Sequence, residues 1–235
     1  MSKDEDAWQE LENNITSCRK CPRLVAWREE VARKKKRAYL DWTYWGKPVP
    51  GFGDRHAQLL LVGLAPGAHG SNRTGRMFTG DSSGDTLFAA LHRAGFANQP
   101  HAASRYDGLV LTDVFITAVG RCVPPQNKPT PSELQACQPF LEQELSLLTE
   151  VKVVIALGKI AFDRYLRLLR EQGCEFPKTK FGHDVWVNTG EGYPVLGASY
   201  HPSRQNTQTG RLTETMLDHV FAKAKSYLIS PLTVL

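Results

Sequence analysis

Four segments of the chain are short, apolar and rich in β-branched residues: Gln58–Gly63, Leu109–Val119, Val151–Leu157 and Tyr193–Ser199. Runs of this kind predict buried strands. Apolar positions recur at helical spacing over Thr86–Ala94, Ser132–Leu148, Ile160–Glu171 and Thr213–Ser226, and a further helix is predicted at Asp6–Ile15. Pro131 marks a helix start, and Ser132 with Gln135 resembles a capping box. Strand alternating with helix predicts an α/β fold, a parallel sheet with helices on both faces. No repeat, low-complexity tract or long linker divides the chain, so residues 1–235 read as a single domain.

Each predicted strand runs straight into an unusual loop. The first enters Gly63-Leu64-Ala65-Pro66-Gly67-Ala68-His69-Gly70, the second Gly120-Arg121-Cys122-Val123-Pro124-Pro125, the third Gly158-Lys159, and the fourth His201-Pro202-Ser203-Arg204. Ligands of open parallel sheets bind outside the carboxyl ends of the strands, so four such loops predict a composite site at one sheet edge.

A hydrophobic fraction of 41% is enough for a full core at this length. No apolar run is long enough to span a bilayer, and the start Met1-Ser2-Lys3-Asp4-Glu5-Asp6 is too polar for a signal peptide. The expected compartment is therefore the cytoplasm. The net charge of +5 is compatible with a polyanionic partner. The densest basic run, Arg33-Lys34-Lys35-Lys36-Arg37, is either a solvated helix end or a phosphate contact, with Trp42, Tyr44 and Trp45 close by to stack or pack.

Cys18 and Cys21 are separated by two residues, Cys122 and Cys137 by fourteen, and Cys174 stands alone. Structural disulfides are rare in the cytosol, and a two-residue gap lets one turn present two thiolates to a metal. Four thiolates suit zinc or an iron–sulfur cluster, and spacing does not separate the two. A redox pair with two buried, inert cysteines is the bland alternative. Cys174 reads as a small core residue.

Six glycines fall within residues 63–84, GLAPGAHGSNRTGRMFTGDSSG, allowing close backbone approach to a flat ligand. The run lacks the Gly-Lys-Ser/Thr ending of a phosphate-binding loop and the G-x-G-x-x-G spacing of a dinucleotide fold. Phe78 either stacks on a base or plugs the core. Asp81 lies at an apparent helix start, where it either caps the helix or handles water. The loop His201–Arg211 is almost without aliphatic residues and suits a polar partner, and His201, directly after a buried strand, is the best placed ligand-facing histidine.

CRKCPRLVAWREE, PVPGFGD, GLAPGAHGSNRTGRMFTGD, RCVPPQNKPTPSEL, ALGKIA and SYHPSRQNTQTGRL, in this order, resemble the uracil-DNA glycosylase superfamily, specifically family 5, the type B iron–sulfur enzymes. The resemblance covers Cys18 to about Leu212. It implies a three-layer α/β/α sandwich around a four-stranded parallel sheet, and a cluster, expected as 4Fe-4S, on Cys18, Cys21, Cys122 and Cys137. It implies that Phe78 stacks on the flipped base, that Asp81 handles the water, that Asn127 lies in the site, and that His201 faces the base. The backbone of Gly63, Leu64, Ala65, Gly67 and Ala68 would line the base pocket. Other families of the superfamily carry polar residues in the first motif and an Asn in the second strand. This chain has Gly63-Leu64-Ala65-Pro66 and Ala118, which implies looser base discrimination.

The expected activity is flipping and hydrolytic removal of uracil and related damaged bases from DNA, which opens base excision repair. His201 would stabilise the departing base anion, Asp81 would orient water and stabilise the sugar cation, and the loop with Ser203, Arg204, Gln205 and Asn206 would enter the minor groove. The expected partner is DNA, the expected state a monomer. A non-catalytic, zinc-stapled nucleic-acid-binding module is the competing reading.

Overall fold

The computed structural model describes residues 3–229. Met1 and Ser2 of the polar N-terminal stretch, and residues 230–235 of the expected domain, lie outside the described residues.

One sheet holds six strands: β1 (Phe52–Gly53), β2 (Leu59–Gly63), β3 (Val114–Ala118), β4 (Val153–Leu157), β5 (Trp186–Val187) and β6 (Val195–Ser199), in the order β1-β3-β2-β4-β6-β5. The inner strands β3, β2, β4 and β6 are mutually parallel. The edge strands β1 and β5 are antiparallel to their neighbours, so the sheet is six-stranded and mixed, not four-stranded. Each edge strand is only two residues long, too short to leave a period in the sequence.

The helices are α1 (Lys3–Thr16), α2 (Pro22–Lys34), α3 (Ser71–Thr74), α4 (Ser82–Arg93), α5 (Pro131–Leu147), α6 (Lys159–Glu171), α7 (Arg204–Gln208) and α8 (Glu214–Ile229). Alternation in the strands divides the core in two. Leu60, Val62, Val154, Ala156 and Leu196 share a cluster with apolar residues of α1, α5 and α6. Leu59, Leu61, Ile116, Val153 and Ile155 share the other with those of α4 and α8. All these strand residues are fully buried, which is why they read as continuous apolar runs. Truncating one of the leucines to alanine costs about 2–5 kcal/mol. No helix of the described residues is long and apolar enough to cross a membrane.

Local polar groups set several boundaries away from those the pattern predicts. β3 begins at Val114, because Asp113 adopts a left-handed φ of 61° while its Oδ1 accepts from the Gln58 amide at 2.8 Å. Leu111 pairs instead with Ala97. The capping box of α5 is Thr130 with Glu133, not Ser132 with Gln135: Thr130 Oγ1 accepts from the Glu133 amide at 3.2 Å, and Glu133 Oε2 accepts from the Thr130 amide at 2.7 Å. Pro131, whose missing N–H costs nothing in a first turn, follows that cap. Helix α2 is absent from the pattern-based elements, because its buried face, Leu24, Val25, Arg28 and Val31, carries a charge in its middle.

Candidate active site

The four parallel strands end at one edge, and the glycine-rich segment after β2 folds there around a carboxylate. Asp81 is the N-cap of α4: its Oδ1 accepts from the amides of Ser83 at 3.0 Å and Gly84 at 3.2 Å. The second oxygen, Oδ2, faces the glycine loop. A methyl group added at Gly70 would lie 2.0 Å from it, and one at Gly67 2.8 Å. These two glycines are therefore required by the carboxylate beside them. Burial raises the Asp81 pKa, while the two amides and the Arg73 charge pull it down and Asp85 adds to the rise. The capping role and an available second oxygen coexist in one side chain.

Phe78 sits at a left-handed φ of 52°, and its ring lies over Gly63, where an added Cβ would come within 2.9 Å of it. The ring is 8% exposed and belongs to the α4/α8 core, yet it also stacks on the His201 imidazole, centroids 5.7 Å apart at 29°. The core-plugging role anticipated for an aromatic here is thus observed, and the ring's remaining contact is with His201. His201 follows β6 and is half-buried, with Gly158 3.4 Å from its Cβ if that glycine carried one. Burial pushes its pKa down to about 4, so the imidazole is neutral at physiological pH.

The first loop is anchored by its carbonyls: Gly63 O accepts from Val119, Leu64 O from Gly120 and Gly67 O from Asn72. Leu64, Ala65 and Ala68 are half-buried along it. Asn127 lies exposed at the end of the turn Pro125–Asn127, with a φ of 56°. The fold does not join its side chain to Asp81 or His201 by a hydrogen bond. The loop after His201 is partly helical as α7. Ser203 caps it, and Asn206 Nδ2 donates to the His201 carbonyl at 2.8 Å, while Arg204 and Gln205 are exposed. Asn206 thus shapes the backbone that carries His201.

Cys18, Cys21, Cys122 and Cys137 come together at the junction of α2 and α5, close enough that each thiol acts electrostatically on others of the set. Burial raises the thiol of Cys122 to about 11. Arg28, 2% exposed, donates from Nη1 to Cys122 Sγ at 2.9 Å and from both Nη atoms to the Cys18 carbonyl at 3.2 Å. It forms no salt bridge with a carboxylate among the described residues. Among these residues no three acidic, histidine or cysteine side chains are gathered tightly enough to hold one metal ion. Cys174 is separate, in the α1/α5/α6 core.

Several residues here escape sequence reasoning. Arg73 of α3, 3% exposed, donates from Nε to the His69 carbonyl at 2.7 Å and from Nη2 to the Gly80 carbonyl at 2.8 Å. Its guanidinium lies between the rings of Tyr39 and Trp42, 3.9 and 4.0 Å from their centroids. Tyr44 Oη pairs with His69 Nδ1 at 3.1 Å. The aromatic segment after the basic run therefore packs onto the glycine loop. The sequence offered Trp42 and Tyr44 as residues that stack or pack, but it did not show that Arg73 and His69 are their partners.

A groove of about 450 Å³ lies at the amino ends of β4 and β6, between Val151, Tyr193 and Tyr227. It lies at the opposite sheet edge from these loops, and none of the site residues described above lines it.

The model of the uracil DNA glycosylase superfamily matches residues 50–225. The chain is similar to the type-5 uracil-DNA glycosylase of Mycobacterium tuberculosis, 54% identical over 217 residues that cover 92% of this chain and 80% of the relative. It is similar to the type-5 enzyme of Thermus thermophilus, 53% identical over 216 residues, 90% of this chain and 94% of the relative. The type-5 enzyme of Pyrobaculum aerophilum is 43% identical over 217 residues, 92% of each chain.

Proposed function

The chain belongs to the uracil DNA glycosylase superfamily, and from that premise we propose that it removes uracil and related damaged bases from DNA by hydrolysing the base–sugar bond, initiating base excision repair. The observation that carries the proposal is that the Phe78-stacked His201 and the Asp81 carboxylate both lie in loops that follow the carboxyl ends of strands of one parallel sheet. The relatives' names weigh against a non-catalytic zinc-stapled module.

A base in a duplex must be extruded before its glycosidic bond can be reached. Phe78 and the backbone of Gly63–Ala68 suit the flat face and edge of such a base. As the bond breaks, negative charge gathers on the base. His201, being neutral, donates a hydrogen bond to it without surrendering a proton, so the base departs as a stabilised anion. Positive charge gathers on the sugar, where the ionised Asp81 stabilises it and directs water through the oxygen not used by the helix cap. Asn127, exposed at the end of its turn after Cys122, is assigned to the site by its motif position alone. Ser203, Arg204, Gln205 and Asn206 face the gap in the DNA, Asn206 also holding the His201 carbonyl. With Ala118 at the end of β3 and no polar side chain in Leu64-Ala65-Pro66, discrimination among bases is loose.

Cys18, Cys21, Cys122 and Cys137 fit an iron–sulfur cluster of the 4Fe-4S type. What supports this reading is the chemistry of the four thiols and the buried Arg28, whose guanidinium donates to Cys122 Sγ and favours its thiolate form. A cluster held there would supply a structural staple between the start of α2 and α5, since the hydrolysis itself transfers no electrons. We read the protein as a single-domain, cytoplasmic monomer.

The test is incubation with a uracil-containing duplex oligonucleotide, then alkali and sizing of the strand. Cleavage at uracil that falls about a hundredfold or more in Asp81→Asn, with DNA binding retained, is the expected result. No cleavage by iron-loaded wild-type protein refutes the activity, and full activity in Asp81→Asn reduces that residue to a helix cap.

A further inference from the structure

We propose that Arg73 is a positioning residue for base excision: its guanidinium ties together the two chain segments that bracket the Asp81 carboxylate, and Tyr39 and Trp42 hold it in that posture. The proposal rests on the assignment of Asp81 to the reacting sugar and water.

The geometry is unusual for an arginine inside a loop. Nε and Nη2 each donate to a backbone carbonyl, His69 on the way into α3 and Gly80 immediately before Asp81. Nη1 is buried with no partner. No carboxylate forms a salt bridge with this guanidinium among the described residues. A cation removed from water in this way is costly unless something compensates, and two carbonyls and two aromatic faces do so here. Gly80, at a φ of 81°, passes so close that an added Cβ would lie 2.4 Å from Nη2. Thr74 Oγ1, with one proton to donate, lies 3.2–3.3 Å from the carbonyls of Gly70, Arg76 and Thr79, and so sits between the same two segments.

This clasp closes around Asp81. Gly67 and Gly70 press on Oδ2 from the entering segment, and Gly80 fixes the backbone that presents the side chain. The charged groups acting on the carboxylate are Arg73, which favours its ionised form, and Asp85, which opposes it. Arg73 thus supplies both a position and a charge. Tyr39 and Trp42 come from the segment that follows the basic run Arg33–Arg37, so the posture of Arg73 is set from outside the glycine loop.

Position and charge are separable. Single-turnover excision of uracil is measured across about pH 5 to pH 9 for wild type, Arg73→Lys, Arg73→Gln, Asp81→Asn and the Asp81→Asn/Arg73→Gln double variant, with circular dichroism on each. Arg73→Gln is expected to slow the step on the order of a hundredfold and to move the acidic limb of the profile to higher pH. Arg73→Lys should restore the limb but not the rate, because an ammonium lacks the fork that spans two carbonyls. The double variant should be no slower than Asp81→Asn alone. Trp42→Ala, at a partly exposed position, should give a milder loss with folding intact. Independent, multiplicative losses in the double variant, or a slowed Arg73→Gln whose acidic limb stays in place, overturns the proposal. If Asp81→Asn is itself fully active, the assignment of Asp81 fails, and the positioning role falls with it.

Discussion

A single methyl group at Gly70 should disable excision while leaving the protein folded. Gly70 has a φ of −98° and a ψ of −102°, so alanine there meets no left-handed strain, and the clash with Asp81 adds to the cost of a ψ that lies outside the usual regions. The added Cβ would lie 2.0 Å from Asp81 Oδ2, 2.6 Å from Cγ and 3.1 Å from Cβ. Approaches below 3.0 Å are essentially never tolerated, so the carboxylate must retreat by about 1 Å. A displacement of that size at a reacting group costs about a hundredfold in rate. Movement also strains the cap bonds to Ser83 and Gly84, whose loss is worth about 1 kcal/mol, or roughly 2–4 °C in melting temperature for a domain of this length. Gly67 is the internal control: its methyl would stand 2.8 Å from the same oxygen, and a shift of a few tenths of an ångström relieves it. The assay is single-turnover excision from a fluorescent uracil duplex, with thermal melts of Gly67→Ala and Gly70→Ala. The expected order of rates is wild type, then Gly67→Ala, then Gly70→Ala by a wide margin. Equal rates for the two variants, or a fully active Gly70→Ala, would refute the placement of Oδ2 against the loop.

The folded His201 pKa, near 4, lies below its ordinary value, so the unfolded chain takes up the proton first. His201 should therefore remove stability as pH falls from about 6.5 to about 4, and His201→Gln should flatten the fall in melting temperature over that window. In the basic run, Lys34 pairs with Glu30 at 2.6 Å and Lys35 Nζ donates to the Leu40 carbonyl at 2.8 Å, leaving Arg33, Lys36 and Arg37 as the freer cations. Alanine at those three positions should flatten the slope of log affinity against log salt by about 0.9 for each phosphate no longer neutralised, as read by fluorescence anisotropy; an unchanged slope assigns the run to solvent. Cys18→Ser and Cys137→Ser should lose visible absorbance and bound iron while Cys174→Ser keeps both, and colourless active protein containing zinc would exclude the iron core.

The four parallel strands were legible because each is buried on both faces, and double burial writes an uninterrupted apolar run into the sequence. The loops at their carboxyl ends followed from the same runs, and with them the neighbourhood of Asp81, Phe78 and His201. The two cysteine pairs were legible from their spacing, and the fold brings the four thiols within electrostatic reach of one another. Short-range polar chemistry was harder to read. The left-handed turn at Asp113 and the Thr130–Glu133 cap depend on which of several adjacent polar groups captures an amide, and composition leaves that choice open.

What only the tertiary structure decided is how charge is handled away from water. Arg28 and Arg73 look like surface residues in sequence, yet both are buried, because a distant thiol in one case and two aromatic rings in the other replace the solvent each guanidinium gives up. Asp81 could be read as a cap or as a reacting group. Only the folded loop shows that the cap uses Oδ1 and turns Oδ2 toward Gly67 and Gly70, on a different segment. Partnerships of that kind join residues that the chain keeps apart, and packing alone selects them.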